Sequence, residues 1–205
     1  MRDEFSSHLN EHGLDQPRNN NFISVHVHFH YGDIMPRKVL MVIAPAKFRD
    51  EELFETKAAL ESSGASVTVA SKTTALAVGM LGGKAQPQVA LSSAKAADYD
   101  AVVFVGGGGS EVYFNDPVAL GLAKDANAQG KIVSAICIAP SILANAGLLS
   151  GRKATVFKGD KYLGILKAKG ANYTGHDVEV DGKIITADGP GSAKKFGQAI
   201  AKSLG

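Results

Sequence analysis

The chain has a single cysteine, no tryptophan and almost no imbalance of charge. One cysteine cannot close an internal disulfide, so nothing points to a disulfide-stabilised secreted fold. Lys and Arg number 22 against 20 Asp and Glu, a net charge of +2. That excess is too small to argue for nucleic acid or an anionic membrane surface as partner. No run of about eighteen apolar residues exists to span a bilayer, and the N-terminus lacks a basic-then-apolar signal layout. Histidine is scarce where a hydrolase would need it. Five of the six (His8, His12, His26, His28, His30) precede residue 34, and from residue 37 onward only His176 is left. The expectation is a soluble, cytoplasmic protein. With 205 residues, 45% of them hydrophobic, there is enough apolar sequence for one domain with a real core.

Two regions differ in character. Residues 1–34 open with a polar, aperiodic stretch, SSHLNEHGLDQPRNNN, followed by FISVHVHFHY, and read as a disordered or non-native extension. His26, His28 and His30 alternate, so a strand would place them on one face where a metal can bind. No Cys or carboxylate cluster accompanies them, and no metal is assigned. The domain is expected over 35–205, starting where Met35-Pro36-Arg37 runs into KVLMVIAP.

From there strand and helix patterns alternate. KVLMVIA (38–44) and AVVFV (101–105) are continuous apolar runs, as in strands buried on both faces. SVTVAS (66–71), KIVSAI (131–136), KATVF (153–157), DVEV and KIITA are further strands, the last two turning about Asp181-Gly182. Residues 74–91 suggest a small hairpin or an excursion from the main sheet. Helices are expected over 51–63 up to Gly64, from Asp116-Pro117 to about Ala128, over APSILANAG, near 160–169, and over 192–203 with Phe196, Ile200 and Leu204 on its buried side. This alternation predicts an α/β fold, a mostly parallel sheet with helices on both faces.

Ligands of such sheets bind beyond the carboxyl ends of the strands. Three segments there carry unusual residues: APAKFRDEEL, the run Gly106-Gly107-Gly108-Gly109-Ser110-Glu111, and Ala135-Ile136-Cys137-Ile138-Ala139-Pro140. At Cys137 a strand ends and a helix begins within a few residues, so the side chain projects from the sheet, where helix N–H groups favour a thiolate. The bland alternative is a small buried hydrophobe, the commonest fate of a free cysteine. Consecutive glycines let backbone amides approach a ligand closely. An amide from the run (Gly108, with Gly107 as the alternative) and that of Ile138 would form an oxyanion hole for an intermediate on sulfur. The run is no phosphate loop, since GxxxxGK[ST] is absent, and no cofactor is expected.

The segments KVLMVIAPAKFRDEEL, DYDAVVFVGGGG, GKIVSAICIAPSILANAGLLSGRKAT and DGKIITADGPGSA resemble the ThiJ/PfpI family, which includes the Parkinson-linked deglycase and bacterial intracellular proteases. They cover residues 37–205 in the family's order. The resemblance implies a flavodoxin-like three-layer sandwich, a homodimer or higher oligomer, and a nucleophilic, oxidation-prone Cys137. It also implies a glutamate from the first loop against the sulfur. Glu52 fits that place, with Asp50 and Glu51 adjacent. A protonated carboxyl there would donate a hydrogen bond to the thiolate, and the two groups would titrate together. Glu111 stands near where the protease branch places a glutamate acting across a subunit boundary. Two departures count against peptide hydrolysis. Ile138 stands where the protease branch has histidine, and Phe157 stands where the deglycase branch has one; a base that then serves as acid is what an amide leaving group requires.

Three functions follow. The first is an enzyme acting through Cys137 and Glu52 on a small electrophile such as an α-oxoaldehyde, in glyoxalase, deglycase or related hydrolase or hydratase chemistry. The second is a non-catalytic redox sensor or chaperone-like stress protein in which Cys137 oxidises to a sulfinate. The third is an intracellular cysteine peptidase or amidase.

Overall fold

The computed structural model describes residues 35–205; the histidine-bearing extension over 1–34 lies outside the described residues. Strand β1 (Lys38–Val42) buries four of its five side chains. A short strand β2 (Ala46–Phe48) follows, then helix α1 (Asp50–Ser62) and strand β3 (Ser66–Ser71). The helix stops at Ser63, and Gly64 takes the left-handed φ of 88° that closes it. The stretch over 74–91 divides into β4 (Ala77–Gly79), β5 (Lys84–Ala85) and β6 (Val89–Ala90). Then come β7 (Ala101–Phe104), α2 (Pro117–Ala128), β8 (Ile132–Ile136) and α3 (Pro140–Asn145). Helix α2 starts as its sequence indicates: the Asp116 side chain accepts from the amides of Val118 and Ala119, with Pro117 in the first turn. The chain ends with β9 (Lys153–Ala154), α4 (Asp160–Ala168), β10 (Asn172–Tyr173), β11 (Val178–Asp181), β12 (Ile184–Ala187) and α5 (Ala193–Leu204).

Seven strands form the main sheet in the order β11-β12-β8-β7-β1-β3-β6. Every pairing is parallel except the β11–β12 hairpin at one edge. The central strands β7 and β8 bury every residue, which is why they read as unbroken apolar runs. Each fully buried Val, Leu or Ile side chain adds roughly 1.5–3 kcal/mol of apolar transfer. Helices α1 and α5 pack on each other and on β3, β8 and β12, while α2 and α3 pack on each other and on β7 and β8. The result is a mostly parallel sheet between two helical layers. The Thr56 hydroxyl ties α1 to the start of α5 by donating to the Ala193 carbonyl at 3.1 Å. Phe196 and Ile200 are fully buried, whereas Leu204, at the end of the chain, is only partly covered.

KATVF departs from expectation. It adds no strand to the main sheet; only Lys153–Ala154 is extended in a ladder, paired with Asn172–Tyr173 in a separate two-stranded sheet. The place beside β8, the preceding strand, is taken: β12 pairs there and lies between β8 and β11. Thr155 N–H turns instead to the Thr186 hydroxyl at 2.9 Å, and Phe157 N–H to the Cys137 carbonyl at 2.9 Å. The excursion over 74–91 is also more divided than its sequence suggests. Its hairpin, β4–β5, joins β2 in a small three-stranded sheet, and β6 returns to the edge of the main one.

Candidate active site

The site forms where β8 ends. Cys137 has a φ of 63°, one of two described non-glycine residues in the left-handed region. Its backbone is clamped from both sides, N–H donating to Ala187 and C=O accepting from Phe157, both at 2.9 Å. A neighbouring parallel strand and a crossing segment therefore hold the turn in a conformation that a cysteine does not choose by itself.

Three consecutive carboxylates open α1 and meet three different fates. Asp50 accepts from the amides of Leu81 at 2.8 Å and Gly83 at 2.6 Å, pinning the β4–β5 hairpin. Glu51 forms a two-point pair with Arg49, 2.8 Å to Nε and 2.9 Å to Nη2. Glu52 turns inward, is fully buried, and accepts from the Gly106 amide at 2.9 Å through Oε2. Its other oxygen, Oε1, has no hydrogen-bond partner. Of the three, Glu52 is the one brought beside Cys137.

Gly106 is the hinge of this arrangement. A Cβ there would sit 2.6 Å from the Cys137 Cβ, 2.6 Å from Glu52 Oε2 and 2.7 Å from the Ile136 carbonyl. Only a residue without a side chain lets the carboxyl and the cysteine close on one another. Gly107 takes a φ of 91°, and its amide, with that of Ile138, acts on the Cys137 sulfur. Gly107, Gly108 and Ile138, the residues whose amides were expected to supply the oxyanion hole, all line the cavity with Cys137.

Burial pushes the Glu52 carboxyl up from 4.5 to about 8, against the opposing pull of the Cys137 thiol, the Gly106 amide and Arg49. Burial also pushes the Cys137 thiol up, reinforced by the negative charge of an ionised Glu52 and opposed by the Gly107 and Ile138 amides. That reinforcement disappears while Glu52 holds its proton, so the two groups titrate as a pair.

The cavity over this pair measures 350 Å³, the scale of a small metabolite. Arg49, Met80, Phe157, Tyr162 and Pro190 complete its wall, and none of these was identified as a site residue from the sequence. Glu111 does not line it but accepts from the Tyr162 hydroxyl at 2.9 Å and from Lys161 at 2.7 Å. His176 is exposed, carries Glu179 at 2.9 Å on its Nδ1, and is not part of this wall. A second cavity of 400 Å³ shares Phe157 and Pro190 but contains neither Cys137 nor Glu52. Among the described residues no group of three or more His, Cys, Asp or Glu side chains is placed to hold a metal, and no helix is long and apolar enough to cross a membrane.

Residues 37–203 match the model of the DJ-1/PfpI family. The chain belongs to this family. An uncharacterized protein of Methanocaldococcus jannaschii is 46% identical over 168 residues, covering 82% of each chain. A deglycase of Pyrococcus abyssi is 29% identical over 165 residues, covering 80% of this chain and 98% of its own. A glutathione-independent glyoxalase of Caenorhabditis elegans is 27% identical over 169 residues, covering 82% and 89%. Among solved structures, a ThiJ/PfpI domain protein from Brachyspira murdochii superposes with a TM-score of 0.79 at 36% identity, covering 82% of this chain and 96% of its own. The sheet described above is therefore the flavodoxin-like sandwich of this family.

Proposed function

We propose that this chain is a cysteine-dependent enzyme acting on small carbonyl electrophiles, with α-oxoaldehydes as the substrate class and Cys137 and Glu52 as its catalytic residues. The observation that carries the reading is the buried Cys137–Glu52 pair, opening onto a 350 Å³ cavity with the Gly107 and Ile138 amides at the sulfur. Family relatives named as a deglycase and as a glutathione-independent glyoxalase support the same choice of chemistry.

The pair needs no further base. The Cys137 thiol gives up its proton as its sulfur adds to the aldehyde carbon. The carbonyl oxygen takes up the negative charge against the two amides and is then protonated, leaving a hemithioacetal. Glu52, at home near neutrality, moves the proton between sulfur and oxygen and next between the two substrate carbons, after which water releases the hydroxy acid from sulfur. Peptide hydrolysis is less well served, because among the described residues no histidine stands in the cavity wall to protonate a leaving amine. The same amides and Glu52 would also hold an oxidised sulfur, which keeps peroxide sensing as the second reading.

The test is conversion of methylglyoxal to lactate by the purified chain beside Cys137→Ser and Glu52→Gln. Turnover is expected in the wild type, with loss to background in the first variant and a fall of about 10²-fold or more in the second. Wild-type turnover no faster than buffer would reject the enzyme reading.

A further inference from the structure

Tyr162 stands at the third position of α4 and lines the cavity. Its ring is wedged edge-to-face between Phe114 and Phe157, with centroids 6.2 and 6.3 Å away. Its hydroxyl donates to Glu111 Oε1 at 2.9 Å, and Lys161 holds the other oxygen of that carboxylate at 2.7 Å. Lys161 and Tyr162 together pull the Glu111 carboxyl below its usual range, so at neutral pH Glu111 is ionised and only accepts. The polarity of the chain Lys161–Glu111–Tyr162 is therefore fixed. The phenol hydrogen is committed to Glu111, and lone pairs are what the hydroxyl has left to offer.

The rest of the wall has the opposite character. The Gly107 and Ile138 amides and Arg49 are donors, Glu52 is buried with its Oε2 taken by the Gly106 amide, and Met80, Phe157 and Pro190 are apolar. Among the described residues that line the cavity, Tyr162 carries a hydroxyl oxygen whose hydrogen is already committed, and the other uncommitted side-chain acceptor is Glu52 Oε1, buried beside the sulfur. A ligand that satisfies both walls carries a carbonyl oxygen for the amides and an O–H for the tyrosine.

We propose that Tyr162 is a specificity-determining residue, oriented by Glu111 as a hydrogen-bond acceptor, that selects small electrophiles bearing a hydroxyl near the reacting carbon. This rests on Cys137 being the reacting atom, as proposed above. Hydroxylated oxoaldehydes and aldehyde hydrates belong to this class, and their deoxy counterparts lack the donor. Burial, Glu111 and the Cys137 sulfur hold the phenol up near 12, so it stays neutral and takes no part as a base.

The test separates recognition from turnover. Cys137 is labelled with 2-hydroxyethyl or with ethyl methanethiosulfonate, and the rates are followed by mass spectrometry. In each case the sulfur forms a disulfide with the sulfenyl sulfur, and methanesulfinate leaves with the electron pair of the broken S–S bond. The ratio of the two rates, divided by the same ratio for free cysteine, reports the hydroxyl contact alone. One net hydrogen bond predicts a wild-type preference of roughly fivefold for the hydroxylated reagent. Tyr162→Phe keeps the ring packing and is expected to bring the ratio to that of free cysteine. Glu111→Gln can turn an amide N–H toward the phenol oxygen and frees its hydrogen, so it is expected to lower the preference while labelling continues. A wild type without preference, or Tyr162→Phe with the wild-type ratio, overturns the assignment. An intact preference in a protein without methylglyoxal turnover removes the proposed enzyme and supports the role of Tyr162; turnover without preference does the reverse.

Discussion

Replacing Glu52 by glutamine in a Cys137→Ser background isolates the titration of one buried carboxyl. Serine removes the thiol's own proton from the balance, and glutamine keeps the shape and the acceptor for the Gly106 amide while never ionising. The carboxyl is held near 8 in the folded chain against 4.5 when exposed, with burial as the main cause. Between those values the folded state binds a proton that the unfolded state has lost, so stability falls as pH rises. At 1.36 kcal/mol per pH unit the gap integrates to about 5 kcal/mol. The contribution of this one group is thus greatest below pH 4.5 and is lost progressively up to pH 8 in the variant that retains Glu52. Urea melts of both variants at half-unit steps across that window are the assay. Near the lower end the two should agree; near the upper end the glutamine variant should be more stable by roughly 3–5 kcal/mol. A difference that stays within about 1 kcal/mol throughout would mean that Glu52 ionises normally in the fold, and the argument from burial would be wrong.

Two other perturbations test the scaffold around the pair. Gly106→Ala forces a Cβ to within 2.6 Å of both Cys137 and Glu52, so it should cost about 3 kcal/mol in denaturant melts and alter the labelling rate of Cys137. A variant as stable as the wild type with unchanged labelling would show that the contact is not tight. Asp50→Ala leaves the Leu81 and Gly83 amides without their acceptor, for a loss of about 2 kcal/mol. Hydrogen exchange at those two amides should accelerate while exchange in β7 and β8 stays slow; equal protection before and after would remove Asp50 as the anchor of the hairpin.

What could be read from the sequence was what burial writes into local pattern. Strands β1, β3, β7 and β8 appear as apolar or β-branched runs because helices cover the sheet on both faces, and Asp181-Gly182 marks the β11–β12 hairpin through turn chemistry. KATVF misled for a global reason: its composition is that of a strand, but β12 takes the place beside β8 and Lys153–Ala154 pairs with Asn172–Tyr173 instead. Cys137 was legible from the strand-to-helix corner. Glu52 needed the family resemblance, although a local signal existed: it lies four residues before Thr56 and eight before Leu60, the same buried face of α1. That Gly107 takes a φ of 91° depends on one peptide's orientation, which no pattern of glycines encodes. The contact of Glu111 with Tyr162 spans 51 positions and only the folded chain creates it.

The left-handed backbone of Cys137 also bears on how the site could be lost. At a φ of 63° a side chain carries a cost of roughly 1 kcal/mol that glycine would not. Mutation to glycine would therefore relax the turn while deleting a small side chain already open to a cavity. A screen or lineage that rewards heat tolerance alone would drift toward a silent, well-folded chain, with no loss of fold to expose the missing thiol. Reactivity at this corner has to be selected for directly, because the scaffold's own energetics favour discarding it.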